Sequence, residues 1–88
     1  MKIIYDAIKD AINVDKHGIS LNDANQLEWD TLWAIPDIRH DYGEDRHIGY
    51  AYIGLRLYCV IYTDRDECRR IISLRKANNR EINQYAKA

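Results

Sequence analysis

Arg69-Arg70-Ile71-Ile72-Ser73-Leu74-Arg75-Lys76-Ala77-Asn78-Asn79-Arg80-Glu81-Ile82-Asn83-Gln84-Tyr85 decides how this chain is read. The stretch begins as an apolar strand carrying arginines, passes a basic turn and becomes a short amphipathic helix with a tyrosine on its apolar side. Strand alternation assigns Arg70, Ile72 and Leu74 to one face and Ile71, Ser73 and Arg75 to the other. Asn78 reads as the N-cap of the closing helix and Glu81, three residues on, as its capping carboxylate, with Ile82, Tyr85 and Ala86 forming the inward stripe.

Working outward, Cys68 to Arg75 supplies the third strand of an antiparallel set. The other two are Arg46 to Ile53 and Leu55 to Thr63, rich in Tyr, Ile and Val, with Gly54 at the turn between them and Asp64-Arg65-Asp66 closing the second. Ahead of them the polar segment Asp37 to Arg46, with Tyr42-Gly43 inside it, reads as a loop or an edge strand with a turn. Trp29, Leu32, Trp33 and Ile35 lead into Pro36, which presses the residue before it into an extended conformation. Near the start, Ile3-Ile4-Tyr5 is a strand candidate. Asp6 then caps a helix with Ile8, Ala11 and Ile12 on one face and Gly18 as its stop. Ser20 and Asp23 open a second helix with Leu21, Ala24 and Leu27 as its apolar side. The pattern predicts an α+β fold, with two N-terminal helices and a short C-terminal helix packed on one side of a small antiparallel sheet.

The 88 residues give room for one domain, spanning 1–88. No segment is apolar for long enough to cross a bilayer and the first residues lack the apolar core of a signal peptide, so the expected location is the cytoplasm. Cys59 and Cys68 have no metal-ligand spacing and read as free buried thiols. The formal net charge of -1 hides an asymmetry: residues 1–64 carry a net charge of -5, and residues 65–88 a net charge of +4. A basic end of this kind suits an anionic partner met at one face, because local potential rather than net charge governs steering.

Tyr5-Asp6, Lys9, Asn13, Lys16-His17-Gly18, Asp37, Tyr42-Gly43-Glu44, Arg46, Tyr62-Thr63, Arg70-Ile71-Ile72-Ser73, Arg75-Lys76-Ala77, Arg80-Glu81 and Tyr85 together resemble the BrnT toxins of bacterial type II toxin-antitoxin systems. The resemblance covers nearly the whole chain, and its most specific parts are Lys-His-Gly and Arg-Ile-Ile-Ser-x-Arg-Lys-Ala. Tyr5 stands where the family commonly has Trp, and the last helix is less basic than is usual. The resemblance implies a RelE-like fold, a ribonuclease that arrests growth by cutting RNA, and a BrnA antitoxin that masks it and through which alone the toxin meets DNA.

Metal-free RNA cleavage needs a base for the 2'-hydroxyl, positive charge around the phosphorane and an acid for the 5'-oxygen. Arg70, Arg75 and Arg80 suit the charge requirement, because guanidinium groups bind phosphate oxygens in pairs and stay ionised. His17, Glu81 and Lys76 are the candidates for proton transfer, and Lys16, Arg46, Arg80 and Tyr85 for holding RNA. Each has a plainer reading. Lys16 and His17 complement a helix C-terminus, Glu81 caps a helix, Tyr85 packs in the core, and alternation separates Arg70 from Arg75. His40 and His47 with Asp37, Asp41 and Asp45 match no established metal site, so no metal or cofactor is expected. Tyr50, Tyr52, Tyr58 and Tyr62 read as sheet packing before base stacking. A toxin that poisons a protein target as gyrase inhibitors do, a corepressor that acts with its antitoxin, and a degenerate toxin that no longer cuts remain as alternatives, since a fold does not fix a function.

Overall fold

The computed structural model describes residues 1–88 throughout. Its elements are β1 (Lys2–Tyr5), α1 (Ala7–His17), a 3-10 segment (Leu21–Gln26), β2 (Glu28–Pro36), β3 (His47–Ile53), β4 (Arg56–Arg65), β5 (Cys68–Lys76) and α2 (Asn79–Lys87). The five strands form one sheet in the order β1-β5-β4-β3-β2. β3, β4 and β5 pair antiparallel, as expected; β2 adds a fourth antiparallel strand beyond the expected three, and β1 lies parallel to β5, so the sheet is mixed.

The helix ends follow the expected capping chemistry. Asp6 Oδ1 accepts from the N–H groups of Ile8 at 2.7 Å and Lys9 at 3.1 Å. Gly18, at φ 69°, closes α1 by donating to the Val14 carbonyl. At α2, Asn78 and Glu81 form a reciprocal capping box. The second N-terminal helix is different: it is a six-residue 3-10 segment rather than an α-helix. Leu21, Ala24 and Leu27 are spaced by three and all are buried, a spacing that eclipses on a helix of three residues per turn. Trp29, read only as leading toward Pro36, lies in β2, with its indole N–H donating to the Ala24 carbonyl.

Both faces of the sheet are covered, not one. Ala51, Val60, Tyr62, Ile71 and Leu74 pack under the 3-10 segment against Leu21, Ala24 and Leu27. On the opposite face Tyr50, Leu57 and Cys59 pack against Ala77 and, on α2, Ile82 and Tyr85. Both cysteines are free, Cys59 buried and Cys68 partly so.

The alternation read for β5 breaks at Ile72. Tyr62 pairs with Ile71 and Ile61 with Ser73, which leaves Ile72 as an extra residue. This bulge puts Ile71 and Leu74 on the same buried side and brings Arg70, opposite Thr63, onto the side of Ser73 and Arg75.

β1 pairs only with Cys68–Ile71, which leaves the rest of that edge of β5 without a strand. Asn13 of α1 fills the role. Its side-chain amide donates to the Leu74 carbonyl at 2.8 Å and to the Ile19 carbonyl at 2.9 Å, and its oxygen accepts from the Leu74 N–H at 3.1 Å. The cost is that Ile8 and Ile12, expected to face inward, are 74% and 50% exposed. Asn13→Ala leaves buried backbone groups without partners and is expected to lower stability by roughly 2–4 kcal/mol. Urea unfolding should show this as a lower midpoint at unchanged slope.

Candidate functional site

The bulge lines up Arg70, Ser73 and Arg75 on one face of β5, opposite Thr63, Ile61 and Cys59 of β4. Lys76 lies on the other face, opposite Tyr58, and is exposed, so adjacent cations diverge.

Arg75 is held by α2. Its Nη1 and Nη2 donate to Glu81 Oε1 at 2.8 Å and Oε2 at 2.9 Å, the paired geometry that suits a guanidinium and a carboxylate. Glu81 is 7% exposed and also accepts from Tyr50 Oη at 3.0 Å and the Asn78 N–H at 2.9 Å. The Arg75 hydrogen bonds, which outweigh the opposing effect of burial, hold its carboxyl down at about 2. Glu81 is therefore an ionised anchor at neutral pH. Burial pushes the Tyr50 phenol upward and the Cys59 thiol to about 11, so neither is a nucleophile at neutral pH.

Arg70 is held by the loop between β2 and β3. Its Nη2 donates to both Glu44 oxygens, at 2.7 and 2.9 Å, while Arg46 Nε donates to Glu44 Oε2 at 2.9 Å. The Arg46 guanidinium also lies 4.1 Å from the centre of the Tyr42 ring. The Arg46 hydrogen bond is the main reason the Glu44 carboxyl is held below the usual carboxylate range. The loop is folded on itself: Asp37 grips Arg39 through two 2.8 Å hydrogen bonds, which bring its carboxyl down to about 2, and Thr63 Oγ1 donates to the Asp45 carbonyl at 2.7 Å.

That loop encloses the largest depression, about 590 Å³. Asp37, Asp41, Glu44 and Asp45 line it against the single cation Arg46, so despite its size its charge is unfavourable to a polyanion except at the Arg46 edge. His40 meets Tyr42 edge-on and His47 stacks on Tyr62, and no group of His, Cys, Asp and Glu is placed to hold a metal ion.

A smaller cleft of about 170 Å³ opens at the free edge of β5, lined by Lys9, Lys16, His17, Ser73, Ile12, Asn13 and Ile72. It joins two sequence candidates, Lys16 and His17, to the arginine row through Ser73. Lys9 and Ser73 belong to the residues that carry the family resemblance but are not among the candidate site residues; the fold brings them to the cleft. Apart from the resemblance, the mark of Lys9 is its spacing of seven from Lys16 on one helix; alternation already puts Ser73 beside Arg75, and what depends on the bulge is the arrival of Arg70 on their face. Arg80 is exposed and forms none of the ion pairs. Tyr85 is used structurally, its hydroxyl donating to the Thr31 carbonyl and its ring edge-on to Tyr52 at 5.6 Å.

The model of a protein family described as "Ribonuclease toxin, BrnT, of type II toxin-antitoxin system" matches residues 5–81. The chain belongs to the BrnT family. The 1.1 Å crystal structure of the Brucella abortus ribonuclease toxin BrnT superposes with a TM-score of 0.72 at 28% identity, covering 90% of this chain and 99% of that one. A search of curated protein sequences gave no match. Membership of the BrnT family brings an antitoxin partner and an RNA target to this α+β fold. No helix of this BrnT chain is long and apolar enough to cross a membrane. The family match spans every candidate residue except Tyr85, which lies beyond its end.

The depressed Glu81 carboxyl gives the BrnT fold an acid-sensitive clasp. Its contribution is fully present above the ordinary carboxylate value of 4.5 and is lost as pH falls through about 2. Glu81→Gln is expected to lower stability by up to about 3 kcal/mol at neutral pH. In thermal unfolding from pH 7 to 2, the gap between wild type and variant should be constant above pH ~5 and close toward pH ~2.

Proposed function

We propose that this chain is a metal-independent endoribonuclease with a RelE-like fold, one toxin domain spanning residues 1–88, that acts in the cytoplasm, cuts RNA and arrests translation. A BrnA-like antitoxin neutralises it, and contact with DNA runs only through that antitoxin. The observation that carries this reading is the row Arg70-Ser73-Arg75 beside the cleft that holds Lys9, Lys16 and His17.

Arg75, fixed by Glu81, offers its remaining N–H groups to the phosphate at little cost in ordering, and Arg70 sits on the same face for a second oxygen. Both cations counter the charge that builds on the phosphorane. His17 in the cleft serves the proton steps, since an imidazole is the group nearest neutrality. Glu81, whose carboxyl is held at about 2, acts as a positioning residue for Arg75 rather than as a proton carrier. Lys16 and Arg46 hold the flanking RNA backbone, Arg80 adds to its attraction from α2, and Lys76 contributes from the opposite face of the strand end.

The test is cleavage of a labelled single-stranded RNA by the purified protein in excess EDTA. Arg75→Ala is expected to slow cleavage by about 10²–10³-fold and His17→Asn by about 10²–10⁴-fold with loss of one limb of the pH profile. Lys76→Ala should stay within about tenfold of wild type, the loss of at most one solvated phosphate interaction. A wild type that leaves RNA intact with and without ribosomes would overturn the nuclease reading in favour of a protein-directed poison.

Glu44 occupies Arg70 and Arg46 with its own carboxylate, in the place an RNA phosphate would take. Glu44→Gln is expected to tighten RNA binding. In fluorescence anisotropy over a salt series, the slope of log K against log salt should steepen by about 0.7 for each additional phosphate that the freed arginines neutralise.

A further inference from the structure

α1 is turned inside out. Its only buried residue is Asn13, fastened to Leu74 of β5, and residues three and four positions away, Lys9, Asp10, Lys16 and His17, share that side. Ile8 and Ile12, four apart, project from the other side, 74% and 50% exposed, with Val14 at 46% and Ala7 and Ala11 also exposed. An amphipathic helix normally buries this stripe. Here the stripe is solvent-facing because the sheet edge beneath α1 requires an amide; the exposed Asp15 interrupts it, and an outward row of aliphatic side chains of this kind marks a contact with another molecule.

The rim of the stripe identifies the chemistry of that molecule. Ile12 also lines the cleft with Ile72, and beside it stand Lys9 and Lys16, both exposed and neither in an ion pair. Aliphatic side chains offer RNA neither a charge nor a ring to stack on, so the face does not suit the substrate. A second copy of the chain would bring the same cationic rim against this one. A protein segment with apolar residues at its centre and carboxylates at its edge suits both features.

We propose that the outer face of α1 is the docking site of the antitoxin, which seats an apolar stripe on Ile8, Ile12 and Val14 and places acidic residues over Lys9 and Lys16. Docked there, the antitoxin reaches over the rim into the cleft of His17 and Ser73 and excludes RNA from it. Docking itself rests on the family's antitoxin; the inhibitory consequence rests on the function proposed above.

The experiment uses the full chain, wild type and the double variant Ile8→Gln with Val14→Gln, neither of which lines the cleft, each mixed with the purified antitoxin of the same system. Both positions are exposed and glutamine keeps helix propensity, so the variant is expected to match the wild-type circular dichroism and RNA cleavage. Loss of two aliphatic side chains, Ile8 and Val14, from the interface should weaken antitoxin binding by about 100-fold in calorimetry, and antitoxin levels that silence the wild type should leave the variant cutting. Lys9→Glu should also weaken binding and flatten its salt dependence. Unchanged affinity in the double variant would overturn the proposal. So would a wild type that light scattering shows to be a dimer and that the variant converts to a monomer of undiminished antitoxin affinity, since the face would then belong to a second copy. If neither protein cuts RNA, the nuclease reading fails while the affinity comparison still decides the docking site.

Discussion

Ile72 is one residue more than β4 can pair with, and the rest of the molecule depends on how β5 absorbs it. Ile71 and Leu74 are both needed beneath the 3-10 segment, where each is fully buried. Without the bulge, strict alternation would put one of them in the core and the other outside, because a shift of one residue moves every side chain beyond it to the opposite face. The same insertion turns Arg70 onto the side of Arg75 and leaves Ile72 at the wall of the cleft. Hydrophobic burial on one face thus determines the alignment of cations on the other.

Those cations are not left loose. Arg75 rests on Glu81 and Arg70 on Glu44, and in each case a carboxylate from outside β5 fixes a guanidinium on it. Ion pairing alone does not distinguish these residues, since Arg69 is paired as firmly: it contacts Asp64 and lies between the Trp29 and Tyr62 rings at 4.7 and 4.3 Å. Arg69 belongs to the core side of β5, where its role is to cover apolar surface with the stem and face of a cation. The difference lies in the face. Arg70 and Arg75 look toward α2 and the β2–β3 loop, which fill only part of that side.

The parts of this fold legible in the sequence are those set by local chemistry. Asp6, Gly18, Asn78 and Glu81 act through their nearest neighbours, so both α-helices can be bounded from the residues alone, and Gly54 marks the tight β3–β4 turn. What the sequence hides is set by residues distant along the chain. β2 escapes a reading by alternation because Trp29, Leu32 and Trp33 are not spaced by two, a consequence of the irregular pairing between Glu28 and Trp33. The orientation of α1 is misleading because its isoleucines form a plausible inward stripe. Only the Leu74 backbone, sixty-one residues away, shows that Asn13 is the side that must be buried. In the site, Arg75 and Glu81 are legible as residues, but their pairing requires the turn at Ala77 to bring α2 back over the sheet. Glu44 gives no sign in the sequence of its contact with Arg70.

The position of β5 in the sheet has a consequence for how the chain assembles during synthesis. β5 is the last strand made, yet it lies between β1 and β4, and β1 pairs with nothing else. While β2, β3 and β4 can form a meander as they emerge, β1 and α1 have no edge to dock on until residues 68–76 are present, and closing that long loop is the slow step in such a topology. The arginine row and the cleft are created by that same event. A nascent chain therefore carries no assembled arginine row or cleft until β5 itself has been made and has paired with both β4 and β1.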